Sequence, residues 1–281
     1  MSRPSTFAPP PCARPRTLRT ARGDFAVLDA APSAPPRGTV LMLPGYTGSK
    51  EDFVALLEPL ALAGFRTVAV DGRGQYESAG PDDRAAYAQA GLAQDVLAQA
   101  AALNGGGPPH LLGHSLGGQI ARAAVLRAPT AFRSLTLMSS GPAEIAPAQQ
   151  DKVKMLSDAL DVLTMAEVWQ AMRLLDPPED ADTGDGEGLR LRWLRHNPAQ
   201  LVATGTQLCT EPDRVDELAA TGLPVHVISG ESDDVWPVEL LDTMAHRLSA
   251  RRTVVAGAEH SPNTGRPAET AAALVGFWTG L

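Results

Sequence analysis

One short segment of the sequence carries the residue types needed for nucleophilic chemistry. Residues 113–117 read G-H-S-L-G, which matches the pattern G-x-S-x-G. The segment lies between an apolar run at 110–112 and a predicted helix at 119–127. In such a strand-to-helix turn, glycines allow close approach of the backbone and the serine hydroxyl stands clear of the sheet. We therefore predict that Ser115 is a nucleophile.

A serine hydroxyl attacks an acyl carbon only when a base takes its proton. The sequence has 6 histidines, and five of them lie in the turn, in predicted strands or helices, or in a helical insertion. These five are His110, His114, His196, His226 and His246. The sixth, His260, lies in a loop after the last predicted strand, at the edge where parallel sheets bind ligands. We predict that His260 is the general base.

The acid that orients the histidine is expected between the two, because triads built on such a turn run in the order serine, acid, histidine. The loop at 230–237 follows the penultimate predicted strand and offers Glu231, Asp233 and Asp234. The acid must accept a hydrogen bond from the imidazole and stabilise the imidazolium. Periodicity does not choose among these three carboxylates.

An oxyanion intermediate needs two N–H donors. The backbone N–H of Leu116 follows the nucleophile and is the first predicted donor. The second is expected from the loop at 44–49, after a predicted strand at 39–43, and we assign it to the backbone N–H of Tyr46. An alternative role for Tyr46 is to cap the pocket with its ring.

Strands and helices alternate along most of the chain. Apolar runs without polar alternation are typical of strands covered on both faces, and amphipathic helical segments follow them. This order predicts an α/β fold with a mostly parallel central sheet and helices on both faces. The predicted strands are 17–20, 25–28, 39–43, 67–70, 110–112, 135–138, 225–228 and 253–255, and the predicted helices are 51–63, 84–103, 119–127, 238–248 and 268–278.

The alternation stops at residues 142–220, which contain helical patterns but no convincing strand. We interpret them as a helical insertion into one α/β domain formed by 15–141 and 221–281. Residues 1–14 are rich in proline, and we expect them to be disordered.

Composition excludes several classes of function. The net charge of −8 and the pI near 5.2 argue against a nucleic-acid-binding surface. No stretch approaches the roughly 20 apolar residues of a membrane span, and no signal peptide is evident. Cys12 and Cys209 fit neither a disulfide framework nor a metal motif. We expect a cytoplasmic protein that acts on a small molecule without metal, nucleotide or flavin.

Taken together, the motifs resemble the α/β-hydrolase superfamily over residues 15–281. The matching segments occur in the family's order: P-G-Y at 44–46, D-G-R-G at 71–74, the serine turn, G-x-x-D-x-x-x-P at 230–237, and the histidine loop. The resemblance implies that Asp233 is the acid and that 142–220 form a helical lid over the active site. Pro44 departs from the commoner His-Gly oxyanion motif.

The resemblance also implies a serine hydrolase with an acyl-enzyme intermediate. We expect it to cleave a carboxylic ester or thioester of a small, largely apolar substrate. Alternatives on the same residues are a C–C bond hydrolase, an acyltransferase, or a ligand-binding module without catalysis. Candidate pocket residues, each of which could instead be lid core, are Leu156, Leu160, Trp169, Met172, Leu175, Trp193 and Trp236.

Overall fold

The computed structural model describes residues 2–103, 106–175 and 186–281, except for the side chain of Leu175. Eight strands form one sheet. They are β1 (Ala13–Thr20), β2 (Gly23–Ala30), β3 (Gly38–Leu43), β4 (Phe65–Val70), β5 (His110–His114), β6 (Ser134–Met138), β7 (Val225–Gly230) and β8 (Arg251–Val255). Their order across the sheet is β1-β2-β4-β3-β5-β6-β7-β8.

The sheet is antiparallel only at one edge. β1 and β2 form an antiparallel hairpin, and β2 pairs antiparallel with β4. All pairs from β4 to β8 are parallel. The carboxyl ends of β3, β5, β7 and β8 therefore lie at one edge, where the predicted site residues follow them.

Helices cover both faces of the sheet, which confirms the predicted fold class. They are α1 (Val54–Leu62), α2 (Gln89–Ala102), α3 (Leu116–Arg127), α4 (Pro147–Leu160), α5 (Met165–Leu175), α6 (Gly186–Arg195), α7 (Pro198–Thr210), α8 (Val215–Ala220), α9 (Val238–Arg247), α10 (Pro262–Gly265) and α11 (Pro267–Trp278). One apolar core joins the sheet to α2, α3, α8 and α9, and the opposite core joins it to α1 and α11. None of the described helices is long and apolar enough to cross a membrane.

The predicted helix at 84–103 is two elements in the structure. A 3₁₀ turn covers Arg84–Tyr87, and α2 begins after Ala88, whose backbone is extended at ψ 138°. Tyr87 is buried, and its hydroxyl donates a hydrogen bond to the Pro81 carbonyl at 2.7 Å. The apolar period continues through this break, so it could not reveal the interruption.

The last helices of the predicted insertion contact the main core of the α/β domain. Helices α4 to α7 follow β6, but the buried side chains of Val215 and Leu218 on α8 belong to the main core. These two residues are three apart and face the same side of the helix. Leu208 on α7 belongs to the same core, so both helices pack against the α/β domain.

The N-terminal segment, which we predicted to be disordered, makes specific contacts in the structure. Ala13 and Arg14 belong to β1, and the Ala13 N–H donates a hydrogen bond to the Pro10 carbonyl at 2.9 Å. Pro4 is buried. Proline content alone could not show that this segment packs against the folded domain.

Four buried histidines are neutral members of the fold. Burial lowers the pKa of His110, His114 and His196 to about 4 and the pKa of His226 to about 3. His110 contacts Ser134 Oγ at 2.7 Å through Nδ1, and His226 contacts Thr253 Oγ1 at 2.9 Å through Nε2. Protonation would place a charge where solvent cannot stabilise it.

These histidines predict a loss of stability in mild acid. Above about pH 6.5 the imidazoles are neutral in both states and contribute no pH dependence. Below it the unfolded chain binds protons that the folded chain excludes, until the folded pKa values near 4 are reached. Each histidine should remove about 1.4 kcal/mol of unfolding free energy per pH unit in that window. Urea unfolding at a series of pH values measures this slope.

The His226→Gln variant keeps a polar atom near the position of Nε2 and cannot become charged. We expect its slope to be lower by the contribution of one histidine. An unfolding free energy that stays constant from about pH 6.5 to about pH 4.5 would contradict this interpretation.

Candidate active site

Ser115 lies in the tight turn between β5 and α3. Its backbone adopts φ 53° and ψ −121°, a conformation that L residues rarely adopt and that occurs at functional sites. A Cβ atom at Gly113 would lie 2.3 Å from the Gly117 carbonyl oxygen, and one at Gly117 would lie 2.5 Å from the Leu43 carbonyl oxygen. The turn therefore requires glycine at both positions, as expected from the sequence.

His260 connects the serine to a carboxylate. Its Nε2 atom lies 3.1 Å from Ser115 Oγ, and its Nδ1 atom lies 2.9 Å from both carboxylate oxygens of Asp233. The three side chains follow β5, β7 and β8, and they meet at the carboxyl edge of the sheet. With Nδ1 protonated and bonded to Asp233, Nε2 is free to accept the serine proton.

The Asp233 carboxylate is held in place by backbone donors as well. Its side chain is fully buried, and Oδ1 accepts hydrogen bonds from the N–H groups of Val235 at 2.8 Å and Trp236 at 3.1 Å. These donors satisfy the buried oxygen in place of water. They also fix its orientation toward His260.

The two neighbouring carboxylates have other partners. Glu231 Oε2 accepts a hydrogen bond from the Gly257 N–H at 2.9 Å. The Asp234 side chain is 71% exposed and accepts a hydrogen bond from Gln149 Nε2 at 2.5 Å. Only Asp233, of the three, contacts His260.

The side chain of His114 contacts the backbone of His260. His114 Nε2 lies 2.9 Å from the carbonyl oxygen of His260, and the ring is almost fully buried. Burial, and to a smaller extent the nearby His260, lower the pKa of His114 to about 4. A neutral ring can donate to a carbonyl only from a protonated nitrogen, so His114 carries its proton on Nε2. The sequence analysis placed His114 in the turn and missed this contact.

The predicted oxyanion donors lie beside Ser115. Leu116 is the first residue of α3, where backbone N–H groups lack an acceptor within the helix. The loop after β3 passes over the serine, because a Cβ atom at Gly45 would lie 3.3 Å from Ser115 Cβ. Within the described part of the chain, the backbone N–H of Tyr46 makes no hydrogen bond. Among the described residues, neither of these two N–H groups has a backbone acceptor in the structure.

The Tyr46 loop is held rigidly from three sides. Gln75 Nε2 donates to the Gly45 carbonyl at 2.9 Å, and His196 Nε2 lies 3.1 Å from the Gly48 carbonyl. The Tyr46 hydroxyl donates to the Leu201 carbonyl at 2.8 Å, and burial raises the pKa of this phenol well above its ordinary value. The sequence analysis missed Gln75, although it directly follows the D-G-R-G segment.

Ser115 and His260 line a cavity of about 680 Å³. Apolar side chains line one part of it, and charged side chains lie elsewhere along its wall. The apolar residues are Tyr46, Ile145, Val153, Leu208 and Val235, and the charged ones are Arg3, Lys152, Asp234 and Glu259.

Of the predicted pocket residues, those that the structure describes are not among the residues that line this cavity. Leu156, Leu160, Trp169, Met172 and Trp193 pack with Val168 and Leu201 in a separate core of the insertion. Trp236 is buried, and its Nε1 atom donates to the Ala143 carbonyl at 3.1 Å. The side chain of Leu175 lies outside the described residues. A helical apolar period marks a face that needs burial, but it does not show whether a helix or a cavity covers that face.

Among the residues that the structure describes, no group of three or more histidine, cysteine, aspartate or glutamate side chains is arranged to hold a metal ion. Ser115 and His260 line the cavity, and the buried Asp233 contacts His260 on its other ring nitrogen. Chemically, the arrangement can accept a proton from a hydroxyl, and its backbone N–H groups can donate hydrogen bonds to an anionic oxygen.

Comparison with known proteins agrees with this architecture. Residues 38–207 match the family model for the alpha/beta hydrolase fold. A pimeloyl-[acyl-carrier protein] methyl ester esterase from Aeromonas hydrophila is 31% identical over 171 residues, which cover 56% of this chain and 65% of that protein. The matched region thus spans less than two thirds of that relative.

Solved structures are similar over nearly the whole chain. A hydrolase from Pseudomonas aeruginosa PA01 has a TM-score of 0.77 at 25% identity, with 94% of this chain and 98% of that chain covered. An esterase from Thermogutta terrifontis has a TM-score of 0.75 at 21% identity, with 95% and 99% covered.

The fold and its serine turn define a protein of the α/β-hydrolase class. The family match covers more than half of the sequence, and the chain belongs to the alpha/beta hydrolase family.

The His114 contact predicts a measurable effect on the reactivity of Ser115. Glutamine carries an amide N–H near the position of the histidine Nε2, so His114→Gln should keep the bond to the His260 carbonyl. His114→Leu should lose it and allow the imidazole to move. We expect fluorophosphonate to label the leucine variant about 10 to 100 times more slowly than the glutamine variant. Equal labelling rates in two folded variants would contradict a positioning role.

Proposed function

We propose that this protein is a serine hydrolase that cleaves a carboxylic ester or thioester through an acyl-enzyme. The observation that carries the proposal is the position of His260, which lies at hydrogen-bond distance from both Ser115 and Asp233. This is the arrangement by which a base activates a serine hydroxyl. The esterase names of two similar proteins support the choice of an ester substrate.

In the first step, Ser115 Oγ attacks the substrate carbonyl carbon while His260 Nε2 takes the hydroxyl proton. The carbonyl oxygen becomes an anion, and the N–H groups of Leu116 and Tyr46 would stabilise it. Asp233 holds the Nδ1 proton and stabilises the imidazolium. The imidazolium then gives its proton to the leaving oxygen or sulfur, and the alcohol or thiol departs.

In the second step, a water molecule takes the place of the leaving group. His260 Nε2 accepts a proton from the water, whose oxygen attacks the acyl carbon. The same two N–H groups would stabilise the second oxyanion. Return of the proton to Ser115 Oγ releases the carboxylic acid and restores the enzyme.

The cavity supports a compact acyl group with apolar character. Its volume, about 680 Å³, is within the usual range for small-molecule sites. The side chains of Ile145, Val153 and Leu208 line it from the insertion side. Burial of apolar substrate atoms there would stabilise the bound state by about 25 cal/mol per Å².

Replacement of the nucleophile tests the proposal directly. Ser115→Ala should lower ester turnover by about 10⁶-fold and leave the fold intact, because the remaining residues cannot form an acyl-enzyme. Ser157→Ala, on α4 away from the cavity lining, is the matched control and should retain activity. Fluorophosphonate should label the peptide that contains Ser115. Full esterase activity in the Ser115→Ala variant would reject the proposal.

The identity of the acid is tested by two neighbouring substitutions. Asp233→Asn should lower kcat by about 10⁴-fold, because the amide no longer stabilises the imidazolium or its productive tautomer. Asp234→Asn should have a much smaller effect, since the Asp234 carboxylate contacts Gln149 and not His260. A larger loss in the Asp234→Asn variant would show that the acid is misassigned.

A further inference from the structure

The buried cation Arg192 joins three parts of the molecule. It lies on α6, and its side chain is fully buried. Nη1 donates a hydrogen bond to Asp52 Oδ1 at 2.6 Å, and Nη2 donates one to the carbonyl oxygen of Ser2 at 2.5 Å. A buried charged donor that loses its acceptor is strongly destabilising. Displacement of the Ser2 carbonyl would remove this acceptor from Arg192 Nη2, so the hydrogen bond stabilises the N-terminal segment in its observed position.

A second contact holds the same N-terminal segment on α6. The Phe7 ring centre lies 5.6 Å from Arg192 Cζ, which allows a cation–π interaction. A Cβ atom at Gly188 would lie 2.5 Å from Phe7 Cδ2. Glycine weakens a helix relative to alanine, and the position of Phe7 explains why glycine fits at this place in α6. The ring also meets Tyr76 edge to face, with the centroids 6.4 Å apart.

The N-terminal segment held by these two contacts also reaches the catalytic cavity. Pro4 is buried, and Ser2 and Arg3 line the cavity that contains Ser115. Ser2 Oγ lies 3.2 Å from Oγ of Ser261, the residue that follows His260. The N-terminal segment thus forms part of the cavity wall beside the catalytic histidine.

We infer that residues 2–7 form an N-terminal strap that closes the leaving-group side of the active site and determines which leaving groups fit. The inference rests on the proposed function. In that reaction His260 protonates the leaving atom, so the leaving group must lie on the His260 side of Ser115. Ser2 and Ser261 border this side. A docked strap therefore restricts the size of the leaving group but not the chemistry at Ser115.

The contact between Phe7 and Gly188 can be broken from either side. Phe7→Ala removes the ring, and Gly188→Ala inserts a methyl group into its position. Gly186→Ala is the matched control in the same helix, because a Cβ atom at Gly186 meets nothing within 4 Å. The probes are methyl butanoate and 1-naphthyl butanoate, which share an acyl group and differ in the size of the leaving group.

We expect Phe7→Ala and Gly188→Ala each to raise kcat/KM for the naphthyl ester relative to the methyl ester by about tenfold. This is the lower end of the change in substrate discrimination that one methylene group in a pocket produces. Gly186→Ala should leave the ratio at its wild-type value. Deletion of residues 2–7 should shift the ratio in the same direction. An unchanged ratio in folded, active Phe7→Ala and Gly188→Ala variants would overturn the inference.

A stability cycle tests the docking separately from activity. Gly188→Ala should lower the Tm of the wild-type protein, where the methyl group displaces Phe7. It should raise the Tm, or leave it unchanged, in the Phe7→Ala background, where only the helix preference of alanine remains. Additive effects would show that the strap is not docked. A wild-type protein that neither turns over the esters nor is labelled by fluorophosphonate would instead reject the proposed function.

Discussion

The position of the His260 imidazole is the constraint on which the rest of the site depends. A general base works only if both ring nitrogens have fixed partners, and these partners lie on separate loops of the sheet. The loops after β7 and β8 are joined directly, because the Glu231 N–H donates to the Ala258 carbonyl at 2.8 Å. A Cβ atom at Gly230 would lie 2.2 Å from the Glu259 carbonyl oxygen. This close approach is possible because β7 and β8 are parallel neighbours with a glycine at the end of β7.

The insertion is fastened to the α/β domain by buried ion pairs. Arg122 on α3 pairs with Glu211 at 2.8 Å and donates to the Pro142 carbonyl at 2.7 Å. Arg122 therefore contacts the chain shortly after β6, where the insertion begins, and again at the C-terminal end of α7. Asp52 and Arg192 form the second pair. Removal of one partner from such a pair typically lowers the unfolding free energy by about 3–5 kcal/mol. These pairs therefore fix the position of the insertion, which lines the cavity, relative to Ser115.

The sequence predicted the sheet well because the signals of its strands are local, and it placed Ser115 and His260 in loops whose side chains lie 3.1 Å apart in the structure. Strands covered on both faces are continuous apolar runs, and the turn at Ser115 needs glycines at fixed spacing. The choice of Asp233 needed the family resemblance, since Glu231 and Asp234 carry the same group. The structure distinguishes them by the Val235 and Trp236 N–H groups, which point at Asp233 alone of the three.

Other features depend on contacts between distant residues and leave no local pattern. Trp193 and Leu160 show helical apolar spacing, but their partner is another helix of the insertion and not the cavity. The N-terminal segment is rich in proline, which also suits a disordered tail. Its order depends on Arg192 and Gly188, more than 180 residues away along the chain.

A crystal structure of the protein after reaction with a fluorophosphonate would test the central claim most directly. The account predicts a phosphorus atom bonded to Ser115 Oγ, with the phosphonyl oxygen about 2.7–3.1 Å from the N–H groups of Leu116 and Tyr46. His260 should remain bonded to Asp233 and face the adduct. An adduct on another residue, or a phosphonyl oxygen directed away from both N–H groups, would contradict the account.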